Sequence, residues 1–234
     1  MLSVDRLVVD ILGSRILHGV SIDVAAGELV CLLGRNGAGK STTFRAIMGQ
    51  RAIAGGGIRF RGASIAGRPT FEIARSGIGF SPEESEVFAD LTVAENIELP
   101  TRTRPGPDAA ARIAFAYEVF PKLTGYRERG GGQLSGGERK MLSIARALAL
   151  GPELLLLDEP FEGLSPVVIP QIADGIASIR ATGRAILMAE SQFYHVPEFA
   201  DRLYIIERGE IVFAGAPALA RDNAAIMRLL DGTG

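Results

Sequence analysis

"GRNGAGKS", Gly34–Ser41, satisfies G-x-x-x-x-G-K-[ST], with the apolar run "LVCLL" before it and a helical pattern after it. Strand, glycine-rich loop, helix is the context in which a chain wraps its backbone around phosphates. Main-chain amides of Gly34, Arg35, Asn36, Gly37, Ala38 and Gly39 then face the anion. Those of Lys40, Ser41 and Thr42 at the helix N-terminus join them. Lys40 is expected to reach the β- and γ-phosphates, and the Ser41 hydroxyl to bind Mg²⁺. The plain alternative is a strand-to-helix turn with a chance lysine; pattern and context together argue against it.

Outward from this loop, a second stretch asks for explanation. "ELLLLDEPFEGLSP", residues 153–166, drives four leucines into Asp158 and Glu159. Buried carboxylates are costly unless they meet a cation, a donor or a chemical task. Beside a phosphate loop, Asp158 is expected to hold Mg²⁺ through its water shell, and Glu159 to polarise the attacking water as general base. Without that loop, the pair would read as solvated acids at a strand end.

A third stretch, "QLSGGERKMLSIARALAL" (133–150), opens with Ser135 and has Glu138 three residues on, a capping box. Capping explains neither Gly136 nor Gly137, each about 1 kcal/mol worse than alanine in a helix. Two glycines leave a helix N-terminus bare enough for phosphate to approach. A chain with one nucleotide and two such ends suggests that the second serves another subunit's nucleotide.

The remaining pattern is strands alternating with helices. Strands are expected at Glu28–Leu33, 58–62, 154–157 and Arg184–Ala189, with strands also filling most of residues 1–27 and a hairpin at 202–215. Helices are expected at Lys40–Met48, 109–120 capped by Asp108, Ser135–Leu150 and 167–181, with a further strand, loop and helix in 75–97 and an exposed connection over 101–108. This is an α/β fold: a P-loop NTPase core on a mostly parallel sheet, an antiparallel β subdomain, and a helical lobe at about 85–150, all within one domain of residues 1–234. The 234 residues carry a net charge of −2, which gives no general attraction to nucleic acid. Cys31, the only cysteine, lies in "LVCLL" and reads as a small core residue in a reducing compartment. Charges at positions 5, 6 and 10 argue against a secretory signal, and no apolar run approaches a membrane span. Work at a membrane would then go through a partner.

"GRNGAGKST", "LSGGE" and "LLLLDEP", in this order and spacing, resemble the ATP-binding subunit of an ABC transporter across essentially the whole chain. The resemblance implies two such subunits sandwiching two ATP molecules, each between one subunit's P-loop and the other's LSGGE helix. It implies ATP and Mg²⁺ as cofactors and places Ser135, Gly136 and Gly137 on the partner's γ-phosphate. It further implies integral membrane permease subunits, a second ABC ATPase (identical or different), an indirect link to a substrate-binding protein, and a peripheral place on the cytoplasmic face of the inner membrane. "GIGFSPEESEVFADLTVAENI" and "DEPFEGLSP" are similar to one ATPase of the branched-chain amino-acid uptake systems, whose relatives move other hydrophobic amino acids, amides or urea. There the usual glutamine near Mg²⁺ is replaced by Pro-Glu, here Pro82-Glu83, so Glu83 joins Ser41 and Asp158 as an expected oxygen ligand.

Three positions depart from the wider family. The aromatic residue that stacks on adenine is missing, with Ile11-Leu12 before the first glycine turn and no aromatic before Phe44. The switch histidine is replaced by Ser191, and His195, four residues on, reads as an ordinary surface histidine. Ser165 stands where an aspartate is usual. A lipopolysaccharide-type exporter ATPase is the nearest competing reading; Glu83 and "GLSP" speak against it. ABC-type ATPases acting on DNA or ribosomes usually need a coiled coil or two ATPase domains, and P-loop kinases or GTPases leave "LSGGE" unexplained.

Overall fold

The computed structural model describes residues 1–231. In chain order the first elements are β1 (Leu2–Ile11), β2 (Ser14–Val24), β3 (Leu29–Leu33), α1 (Lys40–Ile47), β4 (Gly55–Phe60), β5 (Ala63–Ser64) and α2 (Thr70–Arg75). Then come β6 (Ile78–Ser81), α3 (Val93–Thr103), α4 (Ala109–Val119), α5 (Gly136–Ala149), β7 (Leu154–Asp158) and α6 (Ile169–Ala181). The last are β8 (Ala185–Glu190), β9 (Arg202–Glu207), β10 (Glu210–Gly215), α7 (Pro217–Arg221) and α8 (Ala224–Asp231). They form two compact units, Met1–Ile73 with Ala185 onward, and Ala74–Arg184.

In the first unit β3 pairs in parallel with β8 on one side and β9 on the other, and β10 closes on β9 as a hairpin. Every residue of β3 and β8 is buried. That is why β3, and β8 up to its terminal Glu190, read as apolar runs: parallel strands are covered on both faces. Cys31 lies in the middle of β3, opposite Met188 and Leu203, and is buried. Burial pushes its thiol well above the ordinary range, with the charges of Glu190 and Asp201 adding to the effect. A second sheet, in the order β2-β1-β4-β5, is antiparallel throughout. Here β4 starts at Gly55, three residues earlier than the sequence suggests. Gly55 and Gly57 pair with Val8 and Asp5 across a register shift, and Gly56 lies so close to β1 that a Cβ would strike the Asp5 and Arg6 carbonyls. The glycine run belongs to the strand because β1 touches it.

In the second unit β6 and β7 pair in parallel, and α5 packs against both strands and against α3 and α4. All five residues of β7 are buried, so each of its leucines contributes about 1.5–3 kcal/mol of burial. Two expectations change. Residues 101–103 are not connection, because α3 continues through Pro100 to Thr103. The proline sits in the last turn, where one bond is lost, and Thr101 Oγ1 and the Arg104 amide find acceptors at Glu98 and Pro100. Asp108 occupies the N-cap position of α4 without a capping bond from its side chain. Its carboxylate pairs instead with Arg112 Nε at 3.2 Å. Arg112 is buried and donates to Ala149, Leu150 and Arg104 carbonyls, thereby satisfying the C-terminal end of α5. Neither α2 nor the C-terminal helices α7 and α8 were anticipated.

Candidate functional site

The loop 34–41 is held from two sides within the first unit. The Gly34 amide donates to Glu190 O at 3.1 Å, and the Gly209 amide donates to Ala38 O at 2.9 Å. Gly39, at φ 113°, makes the turn into α1 in a conformation that only glycine adopts freely. Arg35, Asn36 and Gly37 are exposed, Ala38 to Lys40 buried, Ser41 and Thr42 half-buried. The first turn of α1 carries no acidic side chain, so no carboxylate competes for its amides. Lys40 Nζ donates to Gly34 O at 2.6 Å, Arg35 O at 3.2 Å and Ser191 Oγ at 3.0 Å. Ser191 in turn donates to Asn36 Oδ1 at 2.7 Å. The serine at the end of β8 is therefore wired to the loop lysine.

In the second unit, β7 delivers Asp158 and Glu159 as buried residues at its C-terminal end. Glu159 has φ 47°, a left-handed backbone unusual for a side chain of this kind. Such conformations are costly and concentrate where geometry matters more than comfort. Glu83 lies two residues beyond the end of β6, after Pro82, and is exposed. Its main chain is gripped: Lys140 Nζ donates to Glu83 O at 2.7 Å, Pro82 O at 3.1 Å and, more weakly, Asp158 O at 3.5 Å. Lys140 was not singled out from the sequence. A signal existed: it lies in the buried stripe Gly137, Lys140, Met141, Ile144 of α5, where a lysine is out of place.

The start of α5 has the anticipated capping box. Ser135 Oγ accepts from the Glu138 amide, and the Glu138 carboxylate accepts from the Ser135 amide at 2.9 Å. This uses a lone pair of Ser135, not its hydroxyl hydrogen, and leaves the amides of Gly136 and Gly137 between the two bonded ones. The glycines have different reasons. A Cβ on Gly136 would meet nothing within 4 Å, whereas one on Gly137 would strike Val168 at 2.7 Å. Gly136 keeps the helix end open; Gly137 is needed for packing as well.

Glu138 is pulled down to about 2, chiefly by the Ser135 amide; burial opposes this, and the Lys122 ammonium at 3.1 Å assists. A depressed carboxylate stabilises the fold fully above its unfolded pKa of about 4.3, and that contribution is lost as pH falls through about 2. Glu138→Gln is therefore expected to flatten the acid limb of stability over this window. Denaturant midpoints at stepped pH measure it, and an unchanged acid slope would count against the cap.

The model of the family described as ABC transporter matches residues 17–162. This span runs from β2 to the residues just beyond β7 and contains the loop 34–41, the helix start at Ser135–Glu138 and the pair Asp158-Glu159. The chain belongs to the ABC transporter family. It is an ATPase of that family, the ATP-binding subunit of a transporter. It is 38% identical to the high-affinity branched-chain amino acid transport ATP-binding protein BraG of Pseudomonas aeruginosa, over 97% of both chains. It is 34% identical to the lipopolysaccharide export system ATP-binding protein LptB of Escherichia coli, over 94% of this chain and 92% of that one. Its fold superposes on the ADP conformation of MJ1267, an ATP-binding cassette of an ABC transporter, with a TM-score of 0.87, 25% identity, and 99% and 98% of the two chains covered.

Within this ABC cassette, the positions that depart from the wider family can now be placed. Leu12 is fully exposed at the β1–β2 turn, a bare apolar side chain at the position where the family resemblance implies an aromatic. Leu12→Tyr is expected to tighten ATP by about fivefold or more, since base–aromatic stacking is worth roughly 1–3 kcal/mol. Titrations with ATP and with inorganic triphosphate decide it: equal gains for both would place the base elsewhere. His195 is not the surface histidine anticipated. Its Nδ1 lies 3.0 Å from Glu190 Oε2, with 9% of the side chain exposed, because a short helical turn at Phe193–His195 folds the ring back on β8. Its place is against a buried glutamate.

Proposed function

We propose that this subunit energises a membrane importer whose cargo is branched-chain or other hydrophobic amino acids or amides. The observation that carries the reading is the end-to-end likeness to BraG, at higher identity than to the exporter subunit LptB. Glu83 after Pro82, in place of the glutamine usual in the wider family, supports it. In this reading residues 1–234 are one ABC ATPase domain, with a helical lobe at about 85–150. Among the described residues no helix is long and apolar enough to cross a membrane. The subunit then docks peripherally, on the cytoplasmic face, against integral permease subunits, and is served by a substrate-binding protein.

The residues suit ATP and Mg²⁺. The phosphate loop has exposed amides, an acid-free helix start and a lysine aimed at main-chain oxygens and a hydroxyl. The proposed metal donors, Ser41, Glu83 and Asp158, are all oxygen, the set that Mg²⁺ prefers. When bound, Mg²⁺ neutralises charge on the phosphates. Gly34 to Thr42 hold the phosphates, Lys40 adds a cation, and Glu159 accepts the proton of the attacking water. Ser135, Gly136 and Gly137 present a helix end to the nucleotide of a second ATPase.

The test is reconstitution with candidate permease, second ATPase and binding protein. ATP hydrolysis that rises with a hydrophobic amino acid or amide and its binding protein supports the importer. Stimulation only with a lipopolysaccharide permease would transfer the subunit to export.

A further inference from the structure

Lys140 is 3% exposed. A buried ammonium needs hydrogen-bond acceptors, and this one is given main-chain oxygens from two strand ends: Pro82 and Glu83 after β6, and Asp158 at the end of β7. Two of the three residues whose backbone it holds, Glu83 and Asp158, are proposed metal ligands. A buried side chain on α5, the helix that packs against β6 and β7, thus bridges the two main-chain segments from which those carboxylates project. Arg146, two turns further along α5, grips the same loop farther out. It donates to Glu86 O at 2.8 Å and Ser85 O at 3.4 Å and lies over the Phe88 ring. One cation holds the metal-bearing end of the loop; the other holds its far end.

We infer that Lys140 is a positioning residue for Mg²⁺, holding Glu83 and Asp158 in ligand geometry through their own backbone oxygens. This rests on the metal assignment made above. Groups that orient metal ligands typically cost 10–100-fold in metal affinity when removed. Lys140→Met keeps the length and apolar stem but loses the three donors.

The experiment is Mn²⁺ binding to the full chain with saturating ATP, read by electron paramagnetic resonance, beside the Mg²⁺ concentration for half-maximal ATP hydrolysis. Lys140→Met is expected to weaken Mn²⁺ about tenfold or more, with affinity for metal-free ATP within twofold of the parent. Arg146→Met is expected to lower thermal stability and leave Mn²⁺ affinity unchanged. Where Lys140→Met does not fold, Lys140→Gln decides, because its amide keeps donors without the charge and reaches less far. Parental Mn²⁺ affinity in the folded Lys140 variant overturns the inference, and so does an equal loss in Arg146→Met, which would mean general loosening. Asp158→Asn separates the two layers. If it leaves Mn²⁺ affinity untouched, the metal assignment itself fails; if it weakens Mn²⁺ while the Lys140 variants do not, only the positioning role fails.

Discussion

Glu159→Gln is expected to lower ATP hydrolysis by about 10²–10⁴-fold while leaving ATP binding intact. The side chain is buried directly after β7, on a backbone with φ 47°. Glutamine has the same shape and meets the same backbone cost, so the substitution removes the capacity to accept a proton and little else. Alanine or glycine would be less informative, since each also changes packing or relieves the left-handed strain. Single-turnover hydrolysis of bound ATP is the measurement, with the partner ATPase's own site disabled in a mixed pair. A second consequence follows from the sandwich proposed for two subunits: ATP-bound dimers should accumulate on gel filtration. Normal turnover in Glu159→Gln would sink the general-base assignment.

Lys40→Ala is expected to weaken ATP by about 10–100-fold, the loss of one or two charge-assisted bonds at roughly 1.5–3 kcal/mol for the first. The lysine has a second task visible in its partners. It donates to Gly34 O and Arg35 O, so it also pins the loop it belongs to. Ser191→Ala serves as the comparison, because it removes one neutral partner of Lys40 and Asn36 while both loop carbonyls keep the lysine. Its cost should stay near 1 kcal/mol. Equilibrium titration of ATP with Mg²⁺ reads both variants. Unchanged affinity in Lys40→Ala defeats the phosphate-loop assignment, and a Ser191→Ala protein as weak as Lys40→Ala would make the serine a principal phosphate contact.

What could be read from the chain was what is local. β3, β7 and β8 were legible because buried parallel strands leave continuous apolar runs. The loop at 34–41 and the cap at Ser135–Glu138 were legible because each is made by neighbours in sequence. Several of the contacts that were harder to read involve partners distant in sequence. Asp108 looked like a cap because Arg112's hold on Ala149 and Leu150 spans the helical segment. Residues 101–103 read as exposed connection, whereas α3 runs on through them with acceptors found inside its own last turn. Lys140 was passed over because the oxygens it holds at Pro82 and Glu83 lie 58 and 57 residues away. The wiring of Ser191 to Lys40 spans 151 residues. His195 looked like surface because nothing in "SQFYHVP" announces a ring turned back onto Glu190.

Cys31 gives this chain a built-in clock. It is the only thiol, buried between β8 and β9 at the centre of the first unit and held in its protonated, unreactive form by burial. An alkylating reagent can reach it only when β3 parts from its neighbours, so the rate of labelling counts openings of that sheet. Nucleotide, metal or a partner subunit that stabilises the unit will slow the count by the factor its binding free energy sets. No residue need be replaced to read it. The same reticence of Cys31 makes the native protein a blank background, on which a cysteine placed at an exposed position such as Gly136 can be labelled by itself.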